Sequence, residues 1–355
     1  MEELLMRHPY DDDKTEKNKI LLDRLNYLTG YHYKNCEAYR RFIDEICGGL
    51  KDCDDLSDVP FLPVGIFKRK ELKSIADEDV FKVMTSSGTT GQQVSKIFLD
   101  KETAGLQQKV LASIVSEYTG KSRMPMIILD CPSVLKNRNM FSARGAGILG
   151  FSLFGAKKIY AFDDDMELNL SGLKEFIKQY EGQTIFLFGF TYMIWQYFYK
   201  KLIETDEYLP LENGVLIHGG GWKKLVNESV SKQEFKEGLN KVCGIKSVHD
   251  YYGMVEQTGC IYMECECGHL HASIFSDVII RDMEDFSVCE NGKKGAIQVL
   301  SALPHSYPGH SILTEDVGCI LGEDDCPCGR KGKYIEVYGR MKNAEVRGCS
   351  DTFER

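Results

Sequence analysis

A run rich in hydroxyl residues and glycine lies between two apolar segments, residues 80–84 and 97–99. Glycine lets backbone N–H groups turn toward an anion, hydroxyl groups add further donors, and a nearby lysine supplies positive charge. The run therefore predicts a triphosphate-binding loop, with a Ser/Thr/Gly surface hairpin as the alternative. It differs from the P-loop of common NTPases, in which the lysine directly follows the second glycine. The residues concerned are Ser86, Ser87, Gly88, Thr89, Thr90, Gly91 and Lys96.

Four further motifs accompany this loop. They are Pro60-Phe61-Leu62-Pro63-Val64 with Phe67-Lys68, Tyr251-Tyr252-Gly253-Met254-Val255-Glu256, Thr314-Glu315-Asp316 and Gly339-Arg340. Together with the loop they resemble the adenylate-forming enzymes, a group that includes acyl-CoA synthetases, peptide-synthetase adenylation domains and luciferases. The first motif resembles the bacterial luminescence acyl-protein synthetase family, which activates fatty acids for aldehyde synthesis. Several motifs in one fixed order seldom arise by chance.

The resemblance implies an enzyme that couples a carboxylic acid, fatty or aryl, to ATP as an acyl-adenylate and passes the acyl group to a thiol. It implies Lys96 and Arg340 as catalytic residues, with the Arg340 guanidinium against the α-phosphate or the ribose. Glu256 would bind Mg²⁺, because a hard cation that bridges phosphates needs an anionic oxygen. Asp316 would accept hydrogen bonds from the ribose hydroxyls, and capping a turn is its alternative role.

A glycine-rich turn and a pair of tyrosines are the candidates for the adenine site. His218-Gly219-Gly220-Gly221 follows an apolar run, residues 215–217. A glycine backbone can pass close to a flat ligand where side chains would obstruct it. The ring of Tyr251 or Tyr252 could stack on adenine just before Gly253, although a pair of core tyrosines fits the pattern equally well.

A cysteine near the C-terminus is the candidate acyl carrier. Cys349 stands where the luminescence acyl-protein synthetases carry the cysteine that receives the acyl group. A thiolate attacks an acyl-adenylate readily, and the thioester retains activation energy for a second transfer. Because the chain ends at Arg355, the resemblance implies that the C-terminal domain of larger relatives is truncated to a short tail. An acyl-CoA or acyl-carrier-protein ligase is one alternative function, and a non-catalytic, zinc-stapled nucleotide-binding module is the other.

Two cysteine-rich segments, residues 265–271 and residues 326–329, predict a zinc site. Each contains a tight turn, and two such turns can converge on a tetrahedral ion. Cys326 and Cys328 form the firm pair, and the first segment must supply two further ligands, from Cys265, Cys267, His269 and His271. Phenylacetate-CoA ligase-like members of the adenylate-forming group carry a cysteine and a histidine six residues apart at this segment. That resemblance implies Cys265 and His271, with Cys267 in reserve, and a structural role for the ion.

Hydrophobic spacing predicts the elements that position these residues. Residues 1–80 are predicted to be helical and to pack on the core, residues 81–338 to form the adenylate-forming core, and residues 339–355 to form the tail. Apolar runs predict strands at 126–129, 158–161, 185–189 and 215–217, and helices at 173–180, 192–202 and 225–239. Later strands at 273–280, 296–300 and 334–337 predict a β-rich subdomain. The predicted fold class is α/β, with layered α/β subdomains plus this β-rich subdomain.

Composition limits the other classes of function. The 355 residues carry a net charge of -9, which argues against a nucleic-acid-binding surface. The N-terminus is too charged for a signal peptide, and no apolar stretch approaches the roughly 20 residues that span a bilayer. We expect a cytoplasmic protein whose 13 cysteines are thiols or metal ligands. Its expected ligands are ATP, Mg²⁺ and structural Zn²⁺, and its expected partners are a carboxylic acid and an acyl reductase or acyl carrier.

Overall fold

The structure, a computed structural model, describes residues 1–86, 93–135, 143–222 and 228–341. Its helices are α1 (Glu2–Met6), α2 (Lys14–Asn35), α3 (Glu37–Ile46), α4 (Ile66–Arg69), α5 (Lys101–Thr119), α6 (Ala143–Phe151), α7 (Leu170–Gln179), α8 (Thr191–Met193), α9 (Lys200–Glu204) and α10 (Lys232–Cys243). A π-helical segment, Ile194–Tyr199, joins α8 to α9.

The strands are β1 (Leu62–Pro63), β2 (Lys82–Thr85), β3 (Lys96–Leu99), β4 (Met124–Leu129), β5 (Gly155–Tyr160), β6 (Ile185–Phe190), β7 (Gly214–Gly219), β8 (Ser247–Tyr252), β9 (Tyr262–Glu264), β10 (Leu270–His271), β11 (Ser276–Arg281), β12 (Gly295–Ser301), β13 (Ser311–Glu323) and β14 (Lys333–Arg340). The described residues divide into two compact units. The β-rich unit contains residues 1–86, 93–114 and 252–341. The α/β unit contains residues 115–135, 143–222 and 228–251.

Parallel strands form the sheet of the α/β unit, in the order β8, β7, β6, β4, β5. Both β4 and β6 are buried along their whole length, as is typical of parallel strands that helices cover on both faces. Parallel neighbours require crossover connections, which the helices between the strands supply. The carboxyl ends of β6, β7 and β8 consequently lie at one edge of this sheet.

Antiparallel strands form the main sheet of the β-rich unit, in the order β11, β12, β13, β14, β10, β9. The pairing of β13 with β14 places Asp316 opposite Arg340. β1 lies parallel to β13, and the Val64 N–H donates to the Leu313 carbonyl at 2.9 Å. The proline-containing motif at residues 60–64 therefore supports the strand that carries Asp316. β2 and β3 form a separate two-stranded hairpin.

The longest N-terminal helix, α2, packs against the main sheet within the β-rich unit. It buries Leu21, Leu25 and Leu28, which are spaced to share one face of a helix. Its first turn is capped by Asp13, whose side chain accepts a hydrogen bond from the Glu16 N–H at 3.0 Å. Arg24 donates to the Ala302 carbonyl at 3.0 Å. The helix thus contacts residues that lie far along the chain.

Of the helix predicted at residues 225–239, residues 225–227 lie outside the described residues, and residues 228–231 precede the α-helix that the structure has there. α10 begins at Lys232 and ends at Cys243. Ser231 Oγ accepts from the Glu234 N–H at 3.1 Å, and the Glu234 carboxylate accepts from the Ser231 N–H at 3.0 Å. This capping box sets the first turn, and Gly244 ends the helix with a φ of 69°. The helix itself is confirmed at residues 232–239, and its prediction was wrong at residues 228–231 because it followed apolar spacing and ignored these caps.

The fold class of layered α/β structure with a β-rich part is confirmed, and so are the other predicted core elements, with two differences. The strand predicted at residues 273–280 begins at Ser276, and the helix predicted at residues 192–202 includes the π-helical segment. The long strand β13 was missed, because Glu315 and Asp316 interrupt its apolar pattern. Asp316 therefore lies in a strand. Among the described residues, no helix has both the length and the apolar character needed to cross a bilayer.

Candidate functional site

The base of the predicted phosphate loop is a closed hairpin. Ser86 donates its N–H to the Ser95 carbonyl at 3.1 Å, and Ser95 returns its N–H to Ser86 Oγ at 2.9 Å. Lys96 follows on β3, opposite Thr85, and its Nζ lies 3.4 Å from a Glu71 carboxylate oxygen. Both charged side chains are about half exposed, at 52% and 58%. The loop residues themselves, Ser87, Gly88, Thr89, Thr90 and Gly91, lie outside the described residues.

Three predicted site residues meet in one cluster of the β-rich unit. Tyr252 Oη donates a 2.7 Å hydrogen bond to Asp316 Oδ2. Arg340 Nε lies 3.9 Å from Asp316 Oδ1, and another of its nitrogens lies 3.5 Å from a Glu315 oxygen. The Asp316 N–H donates to Thr314 Oγ1 at 3.1 Å. We call Tyr252, Asp316 and Arg340 the Asp316 cluster.

The protonation of Tyr252 follows from its surroundings. Desolvation, followed by the negative charge of Asp316, raises the pKa of Tyr252 well above its ordinary value. The phenol therefore keeps its proton at neutral pH and acts as a donor to Asp316. The second carboxylate oxygen of Asp316 faces the Arg340 guanidinium. The cluster thus holds a carboxylate between a neutral donor and a cation.

Glu256, the predicted magnesium ligand, belongs to a short 3₁₀ turn, Val255–Gln257, and its side chain is buried. The Glu256 carbonyl accepts from Tyr307 Oη at 2.8 Å. Gln257 Nε2 donates to the carbonyls of Val299 and Gly309, at 3.1 and 2.9 Å. The backbone of the turn is therefore fixed from the main sheet. Gly253 is exposed just before the turn.

The glycine-rich turn of the α/β unit lies at the carboxyl edge of the parallel sheet. His218 Nδ1 lies 2.9 Å from Thr191 Oγ1 and 3.8 Å from Asp250 Oδ1. The Thr191 hydroxyl also donates to the Gly219 carbonyl at 3.2 Å. Sequence analysis missed Thr191 and Asp250, because one threonine or aspartate at a strand end carries no local signal. Gly220, with a φ of 81°, begins the left-handed turn that follows β7.

Tyr251 packs directly over this turn. A Cβ atom on Gly219 would lie 2.6 Å from the Tyr251 ring, so that only glycine permits the contact. The ring also lies near Phe151 and Phe188, with centroids at 5.3 and 6.5 Å. Tyr251 therefore joins an aromatic cluster, whereas the adjacent Tyr252 bonds to Asp316. Tyr251 thus packs on the glycine-rich turn, and Tyr252 orients the Asp316 carboxylate.

The four cysteine and histidine residues preferred by the sequence analysis converge. One ligand atom from each of Cys265, His271, Cys326 and Cys328 lies within 4.8 Å of the others. Two tight turns bring them together, with Gly268 N–H donating to Cys265 O at 2.9 Å and Gly329 N–H donating to Cys326 O at 3.0 Å. We call these four residues the Cys/His cluster.

The Cys/His cluster fits a zinc ion. Tetrahedral zinc with Zn–S bonds of about 2.3 Å holds its sulfurs about 3.8 Å apart. The Cys265 and Cys326 sulfurs are 3.9 Å apart, and Cys328 Sγ lies 3.4 Å from His271 Nε2. Cys267 is exposed and outside the cluster, whereas His269 Nδ1 lies 3.3 Å from the Cys326 sulfur.

The predicted acyl carrier, Cys349, lies outside the described residues.

Comparisons with known proteins agree with these motifs. A model of the family "Acyl-protein synthetase, LuxE" matches residues 2–355. The chain is 26% identical over 329 residues to the long-chain-fatty-acid–luciferin-component ligase of Vibrio harveyi, a match that covers 90% of this chain and 83% of the relative. It is 25% identical over 353 residues to the Aliivibrio fischeri protein of the same name, covering 94% and 88%.

The fold also resembles a solved structure. A 2-hydroxyisobutyryl-CoA ligase in the postadenylation state, in complex with 2-HIB-AMP, matches with a TM-score of 0.70 at 15% identity. The match covers 94% of this chain and 70% of that chain. This likeness identifies the fold of the adenylate-forming ligases. Because the family model spans nearly the whole chain, the protein belongs to the LuxE family of acyl-protein synthetases and is an acid–thiol ligase of the adenylate-forming class.

Proposed function

We propose that the protein activates a long-chain fatty acid with ATP and transfers the acyl group to its own Cys349. A carboxylate oxygen of the acid attacks the α-phosphorus of ATP, and the bond to the pyrophosphate oxygen breaks. The Cys349 sulfur then attacks the acyl carbon, the bond to AMP breaks, and the thiol proton passes to solvent. The names of the two curated relatives support a long-chain fatty acid as the substrate class.

The Asp316 cluster is the observation that carries this proposal. Asp316 offers the carboxylate oxygens that a pair of ribose hydroxyls requires, and Tyr252 holds one of these oxygens at 2.7 Å. Arg340 lies opposite Asp316 in the β13–β14 pairing, where its planar guanidinium suits phosphate or ribose oxygens. Residues from three separate motifs of the chain thus supply complementary groups for one nucleotide.

The phosphate groups and magnesium have candidate binding residues in the phosphate-loop motif and at Glu256. Lys96 and Ser86 stand at the base of the phosphate loop, which contains Ser87, Gly88, Thr89, Thr90 and Gly91. Glu256 places an anionic group on a turn with a fixed backbone, and this fits a cation that needs oxygen ligands. When bound, Mg²⁺ would neutralise charge on the phosphate oxygens. Lys96 would place its ammonium charge beside the triphosphate. Its ion pair with Glu71 is exposed and weak, so that replacing Glu71 by a phosphate group as the partner of Lys96 costs little free energy.

The adenine base is proposed to lie against the turn His218-Gly219-Gly220, next to the Tyr251 ring. The absence of side chains at the two glycines permits the close approach of a flat ring. The packing of Tyr251 on Gly219 supports a role for this tyrosine in shaping the turn.

Two alternatives remain, each tied to a measurement. An acyl-CoA or acyl-carrier-protein ligase would need an added thiol before any product formed. A non-catalytic, zinc-stapled nucleotide-binding module would bind ATP without acid-dependent exchange of pyrophosphate. We favour self-acylation because the family match includes the C-terminal residues around Cys349, and we propose an acyl reductase or acyl carrier as the onward acceptor.

The test uses a labelled fatty acid, ATP and Mg²⁺ without any added thiol. The native protein should exchange pyrophosphate in an acid-dependent way and acquire a hydroxylamine-labile label. Cys349→Ser should keep the exchange and lose the label, because adenylation needs no thiol and transfer does. A label that persists in this variant, or that maps to another cysteine, would falsify the acyl-carrier role of Cys349. A panel of acids in the same exchange assay would identify the substrate.

We also propose that the Cys/His cluster binds a structural Zn²⁺ ion. The set of three sulfurs and one imidazole nitrogen is a zinc donor set, and its spacing agrees with tetrahedral geometry. Four protein ligands leave no open position for a substrate. Zinc would therefore stabilise the β-rich unit by joining the segment that contains β10 to the turn before β14. Cysteines that serve as thiols and zinc ligands suit a reducing compartment, and we propose the cytoplasm.

A further inference from the structure

Thr191 makes two contacts at the carboxyl edge of the α/β unit that no motif of the chain predicts. It directly follows β6, and only 6% of its surface is exposed. Its Oγ1 lies 2.9 Å from His218 Nδ1 and 3.2 Å from the Gly219 carbonyl oxygen. One buried hydroxyl therefore contacts both a side chain and a backbone group of the glycine-rich turn.

These contacts determine which nitrogen of His218 carries a proton in the neutral ring. A hydroxyl has one hydrogen to donate, and the Gly219 carbonyl can only accept it. The other contact then requires His218 Nδ1 to donate to Thr191. The carboxylate of Asp250, with Oδ1 at 3.8 Å from the same nitrogen, also favours a proton there. The arrangement selects the Nδ1–H tautomer of His218 and makes Nε2 the acceptor of the ring.

The same hydroxyl holds the backbone at the start of the turn. Gly219 is the last residue of β7, and Gly220 and Gly221 follow with φ values of 81° and 61°. Glycine has more backbone conformations to lose than any other residue. The hydrogen bond that holds the Gly219 carbonyl therefore limits the conformations open to Gly220 and Gly221. Tyr251 packs against the other side of Gly219. Gly219 is thus held by a hydrogen bond and by an aromatic ring.

We propose that Thr191 is a positioning residue for nucleotide binding, which acts by fixing the tautomer of His218 and the backbone of the Gly219-Gly220-Gly221 turn. This role rests on the proposed function, in which the turn contacts the adenine base. Thr191 itself does not touch the reacting atoms. Its removal should weaken ATP binding and leave fatty acid binding unchanged.

The assay for this role is the acid-dependent exchange of pyrophosphate into ATP. It gives one KM for ATP and another for the fatty acid. Thr191→Val keeps the side-chain shape and removes the hydroxyl, and we expect it to raise the KM for ATP about tenfold, as loss of a buried hydrogen bond would. The KM for the fatty acid should change less than about twofold, and Thr191→Ser should restore the ATP value because it restores the hydroxyl. Thr205→Val is the control, since Thr205 also donates to a carbonyl of the α/β unit, Lys201 O at 2.8 Å, away from the turn.

Nitrogen NMR of the native protein, labelled at histidine, provides a second measurement that does not depend on the folding of Thr191→Val. The resonances of His218 are assigned by their loss in His218→Gln. In spectra recorded at a pH where the ring is neutral we expect a protonated Nδ1, and a neutral ring protonated at Nε2 would overturn the proposal. An unchanged KM for ATP in a folded Thr191→Val protein would also overturn it. Native protein that shows no acid-dependent exchange would instead contradict the proposed function, and this role with it.

Discussion

Tyr252 Oη and Asp316 Oδ2 are joined by a 2.7 Å hydrogen bond between residues that are 64 positions apart. Both residues belong to the β-rich unit, and the bond orients the Asp316 carboxylate opposite Arg340. A phenol carries its proton at neutral pH, and desolvation followed by the charge of Asp316 raises the pKa of Tyr252 further, so that the phenol acts as a donor. The carboxylate is therefore oriented before a nucleotide arrives, which lowers the cost of ordering it on binding.

Tyr252→Phe should raise the KM for ATP at least about tenfold, because a hydrogen bond to a charged acceptor contributes about 1.5–3 kcal/mol. The measurement is pyrophosphate exchange at varied ATP concentration. Tyr33→Phe is the matched control, since Tyr33 donates a 3.0 Å hydrogen bond to Asp44 on an exposed surface. Equal KM values in the two variants would show that Asp316 does not depend on Tyr252.

Lys96→Ala should lower the rate of adenylate formation at least tenfold and leave the thermal midpoint nearly unchanged. Its exposed ion pair with Glu71 contributes little to stability, whereas a cation beside the triphosphate stabilises developing charge. Lys82→Ala is the control, because Lys82 lies on the same hairpin at the end far from the loop. If both variants exchange pyrophosphate at the native rate, Lys96 has no part in the reaction.

Glu256→Gln should retain the shape of the Val255–Gln257 turn, whose backbone is held by Tyr307 and Gln257. It should lose the anionic oxygen that a hard cation prefers. We expect lower activity and a higher Mg²⁺ concentration for half-maximal rate. Magnesium titration of the exchange reaction measures this shift, and a native magnesium dependence would mark Glu256 as a purely structural residue.

Cys328→Ser should release zinc and lower thermal stability, because metal binding contributes directly to the folded state. Elemental analysis of the native protein should give one zinc per chain. Cys267→Ser is the control, since this exposed cysteine lies in the first segment but outside the cluster. Zinc loss from the control, or native protein without zinc, would contradict the proposed ligand set.

Acid should destabilise the protein through two buried histidines, His32 and His310, whose rings stack at 5.1 Å. Burial lowers the pKa of His310 to about 3, and burial followed by the charge of His310 lowers the pKa of His32 well below its ordinary value. The unfolded chain gains these protons near pH 6.5, whereas the folded protein resists them. Stability is therefore complete above about pH 6.5 and falls as the pH drops toward the folded pKa.

Urea unfolding at pH 7 and pH 5 measures this loss. His310 alone should account for about 2 kcal/mol of it, from about 1.4 kcal/mol per pH unit below pH 6.5. His310→Gln should reduce the difference between the two pH values, whereas the exposed His8→Gln should leave it unchanged. An identical pH dependence in both variants would remove the buried pair as its cause.

The sequence determined the reaction class and most of the local structure. The hydroxyl- and glycine-rich loop, the acidic motif at residues 314–316 and the arginine at 340 are chemical requirements for handling ATP, so they are visible in the residue types themselves. Helices and buried strands were equally visible, because apolar spacing follows the local period of each element. The misplaced start of α10 shows the limit of that signal, since the capping box begins the helix at Lys232, later than apolar spacing predicts.

Tertiary structure decided which of several suitable residues meet. Tyr251 and Tyr252 are equivalent in the sequence, but successive residues of a strand point to opposite faces. Only Tyr252 contacts Asp316, while Tyr251 packs on Gly219. The first cysteine segment offered four possible ligands, and the pairing of β10 with β14 opposite Tyr334 brought His271 to the cluster. No sequence pattern pointed to Thr191, because its partners, His218 and Gly219, belong to another strand. Such choices depend on strand register between distant segments, which local residue patterns do not encode.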